Sequence, residues 1–532
     1  MSTALTGTGH LARVILRRDR LRLPLWLIGL GGAIAASAAA VPAIYDTPEK
    51  IAGYADTVGT SPVNFLMSGR QASLDTLGGI VANETSQVAQ LGVCLMVMFL
   101  VVRHTRAEEE SGRAELLRST VLGRHAATLA ALLYGASAAL LIGVLTTVSM
   151  LAVGLDAVGS TTYGAGLALL GLCYAAASLV AAQLSTSTRG ALGLTGAAIA
   201  VGYVVRGLGA VEDNALVWLS PFGWAQRMDA FGVERWWPAL LLVVFAAALL
   251  GVAAWLTAHR DFGSGVLGAR PGSARAGRLL GTPVGLAFRL QRGLLLGWAG
   301  GMAVLGLLYG AVLPTVPDLV ASNPDLAEVF GASADAEDAL VDAFLQYVFV
   351  FMAVVASGFA IAAVLRLRVE EESGRLEALL ATPVRRSSVV AATVSVAFVG
   401  VMAVFVCMGA GLALGQGLVE GDWDRFGAQV AGQLSYAPAV LLLAAAAVAL
   451  TCVLPRWSLL AWAGVAVVVL QVVLGDVLGL PTWVEALSPF WHLPEVPVVA
   501  FAPGPALVQV LLAVGLVLLG VWGYQRRDVT AG

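Results

Sequence analysis

Twelve apolar runs, each near the length of a membrane-crossing helix, limit what this chain can become. Crossing the hydrocarbon core takes roughly 20 mostly apolar residues. Such runs fall at 23–43, 85–102, 126–153, 162–183, 190–208, 239–257, 294–313, 345–365, 389–413, 434–454, 458–477 and 506–523. Only 12% of the 532 residues are charged, and mean hydropathy is +0.84. Soluble domains carry about 25% charged residues, so the chain is predicted to be an all-α polytopic membrane protein. Cys94, Cys173, Cys407 and Cys452 all lie inside apolar runs. They read as small buried hydrophobes, not as disulfides or metal ligands. The first run is long and follows an arginine-rich segment, which predicts a retained span and no cleaved leader.

The arginines give an orientation. With the N-terminus inside, the inner segments hold 25 of the 31 Lys+Arg. Lys50, Arg70, Arg206, Arg227, Arg235 and Arg425 fall outside. Inner loops are the ones enriched in basic residues, so both termini are expected in the cytoplasm and the chain in the plasma (inner) membrane.

The chain also repeats itself. Glu108–Arg124 aligns with Glu370–Arg386 without a gap, with ten identities in seventeen positions. Arg17 and Arg20 match Arg289 and Arg292, Trp26 matches Trp298, and Arg189 matches Arg456. Leu219-Ser-Pro-Phe222 matches Leu487-Ser-Pro-Phe490, and Arg260-Asp261 matches Arg527-Asp528. The expected organisation is therefore a first six-span half (1–257), a cytoplasmic linker (258–285) and a second six-span half (286–532). An even number of spans gives both halves the same orientation, related by a pseudo-twofold axis along the membrane normal. Residues 10–22 form an amphipathic segment suited to the inner interface, and 283–292 a weaker copy.

Each repeated acidic stretch reads as a short amphipathic helix across the inner ends of the spans, with its carboxylates toward water. Leu116 and Leu117 follow in the first copy, and Leu379 and Leu380 in the second. Two near-identical loops suggest a symmetric partner surface. The second copy reads Glu371-Glu372-Ser-Gly374-Arg-Leu-Glu377-Ala-Leu379-Leu380-Ala-Thr382-Pro383-Val-Arg-Arg386. This resembles the loop between spans two and three of ABC-2-type permeases, the membrane subunits of ABC exporters. The first copy departs from it at Arg118 and Val121. Fused twelve-span forms with a Ser-Pro-Phe segment look like actinobacterial permeases for polyketide antibiotics and multidrug efflux.

The resemblance implies two parallel six-helix ABC-2 halves extruding hydrophobic or amphipathic compounds. It makes Glu108, Glu109, Glu110, Gly112, Arg113, Glu115, Glu370, Glu371, Glu372, Gly374, Arg375, Glu377 and Pro383 the ATPase-coupling loops. It also implies two copies of a separate ATP-binding subunit, which carry the ATP and Mg. The residues agree on one point: a P-loop needs Gly-Lys-Ser/Thr, and the only lysine, Lys50, precedes Ile51. The chain is thus no enzyme by itself. Membrane lipid and a hydrophobic small molecule are the other expected partners; nucleic acid is not.

The remaining candidates keep two readings each. Gln87, Gln90, Gln183, Gln346, Gln433 and Gln471 are either interhelical hydrogen-bonders or points on a substrate path. Ser220, Pro221 and Phe222, with Ser488, Pro489 and Phe490, are either part of an aromatic belt or an outer gate. The outer segments 44–84 and 314–344 are either solvated shields or filters. The second carries Asp318, Asp325, Glu328, Asp335, Glu337, Asp338 and Asp342. The five histidines lack metal-ligand spacing. Apart from Glu84, Asp342 and Asp476 near span ends, no carboxylate lies in a span. That counts against the alternative of an ion-gradient-driven secondary transporter. An ABC exporter of lipids or cell-envelope glycoconjugates is a further alternative.

Overall fold

The computed structural model describes all residues except 1–2, 72, 114, 116–121, 262, 264, 267–274, 318–336, 422, 479–480 and 528–532, and the side chains at 3, 62, 63, 315, 337, 338, 470 and 473–478. Leu116, Leu117, Arg118, Val121, Asp318, Asp325, Glu328, Asp335 and Asp528, with the side chains of Glu337, Asp338 and Asp476, therefore lie outside the described residues. The described residues form helices and turns with no strand. Eleven of these helices are long and apolar enough to cross a membrane. The expected span at 458–477 is helix Leu460–Leu478, whose described apolar stretch, Leu460–Val469, is shorter. The chain divides into two compact units, 1–272 and 273–532.

In the first unit, helix Thr8–Arg18 buries Leu11 and Ile15 and ends at Asp19. The spans are Arg22–Ile44, Leu77–Arg103, Ala126–Ala152, Ala157–Leu184, Thr188–Val211 and Trp237–His259. Side-chain caps set several starts: Thr76 accepts from Gly79 N, Asp156 from Gly159 N and Ser187 from Gly190 N. Such caps satisfy amide groups that the first turn leaves unpaired.

The second span begins eight residues before its apolar run because its polar residues find partners. Tyr54, from helix Pro48–Val58, donates to Glu84. Asn83 donates to the Tyr54 hydroxyl at 2.8 Å and to Asn64 at 3.0 Å, and Thr85 meets the Tyr163 hydroxyl at 2.9 Å. Segment 44–84 thus has a partly buried inner face, with Tyr54 and Leu74 packed on Val41, Ile80 and Met150. Arg206, counted above as an outer residue, lies within the fifth span and is fully buried.

The second unit contains Pro283–Val312, Glu337–Glu372, Arg386–Glu420, Phe426–Ser435 continued by Ala437–Val453, Leu460–Leu478 and Pro503–Arg526. Here 283–292 is no separate interfacial helix. It runs straight into the seventh span. The first unit instead breaks at Asp19, whose carboxylate is held by Arg103 and His104. The aligned residue here is Gln291, with no comparable break. Spans seven and nine meet backbone to backbone through Gly306-x-x-x-Gly310 and Gly411-x-x-x-Gly415. A β-carbon at Gly310 would overlap the Leu412 carbonyl, and one at Gly411 the Ala303 carbonyl. Reciprocal small-x-x-x-small pairs let helices approach closely in lipid.

Candidate functional site

The repeated acidic stretch continues the second span of each unit instead of lying apart from it. In the first unit Arg106–Glu110 is a helical turn just beyond the span. In the second, Glu370, Glu371 and Glu372 close the 36-residue helix Glu337–Glu372. Gly112 (φ 74°) and Gly374 (φ 70°) then reverse the chain in the left-handed region. Glycine reaches that conformation without the steric cost other residues meet.

The central carboxylate of each triplet points into its unit, contrary to the expectation of carboxylates facing water. Glu371 is 1% exposed; its Oε2 accepts from Arg527 Nη2 at 2.7 Å and lies 3.5 Å from Arg368 Nη1. Glu109, at the same position of the first copy, accepts from Arg260 Nη2 at 2.5 Å and from Arg106 Nη1 at 2.8 Å. Arg260 and Arg527 match in the repeat, as do Arg106 and Arg368. Each unit therefore builds the same three-residue cluster, joining its loop to the end of its own last span. A carboxylate is buried readily only when charged donors replace its water; Arg106 and Arg260 supply them to Glu109, and Arg527 supplies one to Oε2 of Glu371, with Arg368 beside it.

The flanking carboxylates are also engaged. Glu108 pairs with Arg18 at 2.9 Å and lies 3.8 Å from Arg113. Glu370 pairs with Arg366 and Arg375, each at 2.6 Å. Arg375 is exposed, and its bond to Glu370 raises its pKa above the ordinary value. Glu110 accepts from Thr188 N at 2.7 Å, at the start of the fifth span. Glu372 pairs with Arg368 at 2.9 Å and remains about half exposed. Glu115, Glu377 and Pro383 are exposed. In the second unit helix Arg375–Leu380 buries Leu376 beneath that outer face.

The six glutamines have different local surroundings within their own units. Gln90 accepts from Gln226 at 3.4 Å, Gln433 donates to the Phe349 carbonyl at 3.2 Å and Gln471 to the Val484 carbonyl at 2.5 Å. These three make bonds between segments of their own units. Gln183 lies at the C-terminal end of the fourth span and lines a groove beside Glu108 and Glu109. Gln87 and Gln346 are half-buried, on spans two and eight.

The two Ser-Pro-Phe segments share one local device. Ser220 and Ser488 each accept from the amide two residues on, at 3.3 Å, and the proline opens a short helical turn. Phe222 is buried against Tyr174 and Tyr203, with ring centroids 5.4 and 5.6 Å away, and Phe490 is buried too. Pro221–Gln226 packs against spans four, five and six.

Two buried charges escaped the sequence reading. Asp19 bonds His104 at 2.7 Å and Arg103 at 3.2 Å, and accepts from Tyr134 at 3.3 Å. Burial alone would raise its pKa, but the His104 hydrogen bond and the charges of His104, Arg103 and Arg22 bring it below the ordinary 3.8. Arg206 donates to the Met67 carbonyl at 2.9 Å and stacks 4.2 Å from the Tyr203 ring centroid. Asp19 was legible only as a lone acid among arginines. Arg206 was legible as an arginine inside an apolar run.

The family model for the C-terminal domain of the multidrug efflux system permease Rv1217c matches residues 280–525. The multidrug efflux system permease protein Rv1217c of Mycobacterium tuberculosis is 35% identical over 526 residues, spanning 98% of this chain and 95% of that protein.

Proposed function

This chain belongs to the family of multidrug efflux system permeases, and from that premise we propose that a separate ATP-hydrolysing subunit drives it through the two glutamate-rich loops. The chain is a multi-pass membrane protein and the permease of an exporter. Our reading adds the energy source, the cytoplasmic placement of the loops and termini, and a hydrophobic or amphipathic cargo.

The observation that carries the reading is the repeated cluster Glu109–Arg106–Arg260 and Glu371–Arg368–Arg527. A loop that needed only to stay in water would gain nothing from burying its central carboxylate on the last span. A loop that must transmit force needs that stiff attachment. ATP-dependent closure of a partner dimer would load the exposed residues around Glu115 and Glu377, and the ion pairs would carry the displacement to the sixth and twelfth spans. Alternating access then follows as one unit rocks against the other around the cargo path, as in other repeat-built transporters.

Co-purification tests this. The tagged chain is expressed with its neighbouring ATPase-like reading frame, and ATP turnover is assayed in lipid with and without apolar drugs. A stoichiometric complex whose turnover responds to drug supports the reading. Failure to co-purify under any detergent condition sinks it. A second reading, ion-gradient drive, is favoured by one observation: the buried Asp19–His104 pair. Export abolished by a protonophore at constant ATP, and lost in Asp19→Asn, would establish that reading instead.

A further inference from the structure

Each unit holds an apolar groove behind its glutamate-rich loop, and each groove is lined by an amide that the repeat does not account for. In the first unit Leu11, Val14 and Ile15 of the N-terminal helix face Leu122 and Ala127 across about 820 Å³ of space open to the surroundings. In the second, Leu286, Ala287 and Leu290 face Leu376, Leu379 and Val389 across about 730 Å³. Val14 matches Leu286, Ile15 matches Ala287 and Ala127 matches Val389, so the walls are duplicated along with the loops.

The glutamates in these walls are already paired within the chain: Glu108 with Arg18, Glu109 with Arg106 and Arg260, and Glu370 with Arg366 and Arg375. Arg124 is exposed at the first groove, and its Nε donates to the Thr257 carbonyl. Charges matched in this way leave little to bind an ion. A neutral, largely apolar occupant suits both grooves.

The polar point in each groove is a buried glutamine. Gln183, at the end of the fourth span, is 2% exposed, and Gln291, in the seventh, is 3% exposed. In both, Oε1 is buried with no hydrogen-bond partner among the described residues. An amide oxygen can accept two hydrogen bonds, and burying it with none is unfavourable. The two amides are not copies of each other. Counted from Arg189 and Arg456, the position matching Gln183 is Leu450, and the position matching Gln291 is Asp19. A packing role shared by both units would put the amide at matching positions. Here the same chemistry reaches a duplicated groove from two different spans.

We propose that each groove binds a neutral amphiphile, an apolar body carrying an N–H or O–H group that donates to the free oxygen of Gln183 or Gln291. The occupant lies against Glu108 or Glu370. On the coupling reading above, occupancy therefore regulates ATP turnover through the loop.

Photolabelling tests the site. The full-length chain in lipid nanodiscs is illuminated with 4-benzoylbenzamide, which has amide N–H donors, or with its N,N-dimethyl derivative, which has none. Adducts are then mapped by peptide. Saturable labelling beside both glutamines is expected, at a roughly tenfold lower concentration for the primary amide. Gln183→Leu, which installs the residue found at position 450, should erase that preference in the first groove and keep it in the second, whose labelling reports that the variant is folded. Gln291→Leu should do the reverse. Ala127→Phe, which fills the first groove from an exposed position, should abolish labelling there and gives a second variant if Gln183→Leu fails to fold. Equal labelling by the two probes, no labelling at either groove, or an undiminished preference in both leucine variants overturns the site. No ATPase is present, so labelling without ATPase capture contradicts the proposed partner alone, and capture without labelling contradicts the groove site alone. In the ATPase complex, 4-benzoylbenzamide should shift turnover at a lower concentration in the wild type than in Gln183→Leu with Gln291→Leu. Unchanged wild-type turnover with both grooves labelled overturns the regulatory role.

Discussion

Glu371 and Arg527, 156 residues apart, are joined by a 2.7 Å charged hydrogen bond that fastens a loop to the last helix of its unit. Glu109 and Arg260, 151 residues apart, make the same attachment in the other unit. Removing one partner of a buried pair typically costs about 3–5 kcal/mol, because the other charge is left without a counterion. Glu371→Ala should therefore lower the unfolding midpoint and abolish drug-stimulated ATP turnover. Glu371→Leu with Arg527→Met should recover most of the midpoint and none of the coupling. Thermal unfolding, run alongside turnover in lipid, separates the two effects; a double variant with wild-type export would show that the pair only stabilises the fold.

Glu372→Lys should act without unfolding anything. Glu372 is about half exposed and, among the described residues, forms its ion pair with Arg368. Reversing its charge should uncouple ATP hydrolysis from export while leaving insertion and expression normal. Wild-type export at normal expression would remove Glu372 from the coupling surface.

Gly374→Val should behave differently from Gly374→Asn. A β-branched residue held at φ 70° costs on the order of 1–2 kcal/mol or more, whereas asparagine tolerates the left-handed region better. No neighbouring atom would obstruct a β-carbon at Gly374, so the penalty comes from the backbone alone. Export should fall with valine and persist with asparagine; equal loss in both would point to a requirement for the bare glycine surface.

Asp19 gives a pH dependence of definite sign. Its pKa in the folded protein lies below 3.8, so the stability it contributes is fully present above its unfolded value and is lost as pH falls through the folded value. The midpoint difference between wild type and Asp19→Asn should shrink as pH falls below 4. A difference that grows on acidification would reverse the assignment.

Much of this was legible in the sequence because it depends on length and repetition. Apolar runs located the helices, and the doubled Glu-Glu-Glu-Ser-Gly-Arg located the loops. The direction of the carboxylates was not legible, because their counterions come from Arg260 and Arg527, far along the chain, whose match in the repeat carried no hint of contact. The start of the second span was missed because Asn83, Glu84 and Thr85 are paired by Asn64, Tyr54 and Tyr163, and hydropathy cannot see pairing. The glutamines were legible as polar groups in apolar helices. Which of them bond across segments depended on which helices became neighbours.

The most direct test of the central claim is photo-cross-linking from the loops to the ATPase. A photoreactive residue is placed at Glu115 or at Glu377, both exposed, in the tagged chain co-expressed with its ATPase, and a control is placed at Leu487 beside the Ser-Pro-Phe segment. The account predicts an adduct of this chain with the ATPase from both loop positions, and none from Leu487. A complex that forms and hydrolyses ATP but yields no adduct at either loop position would contradict it.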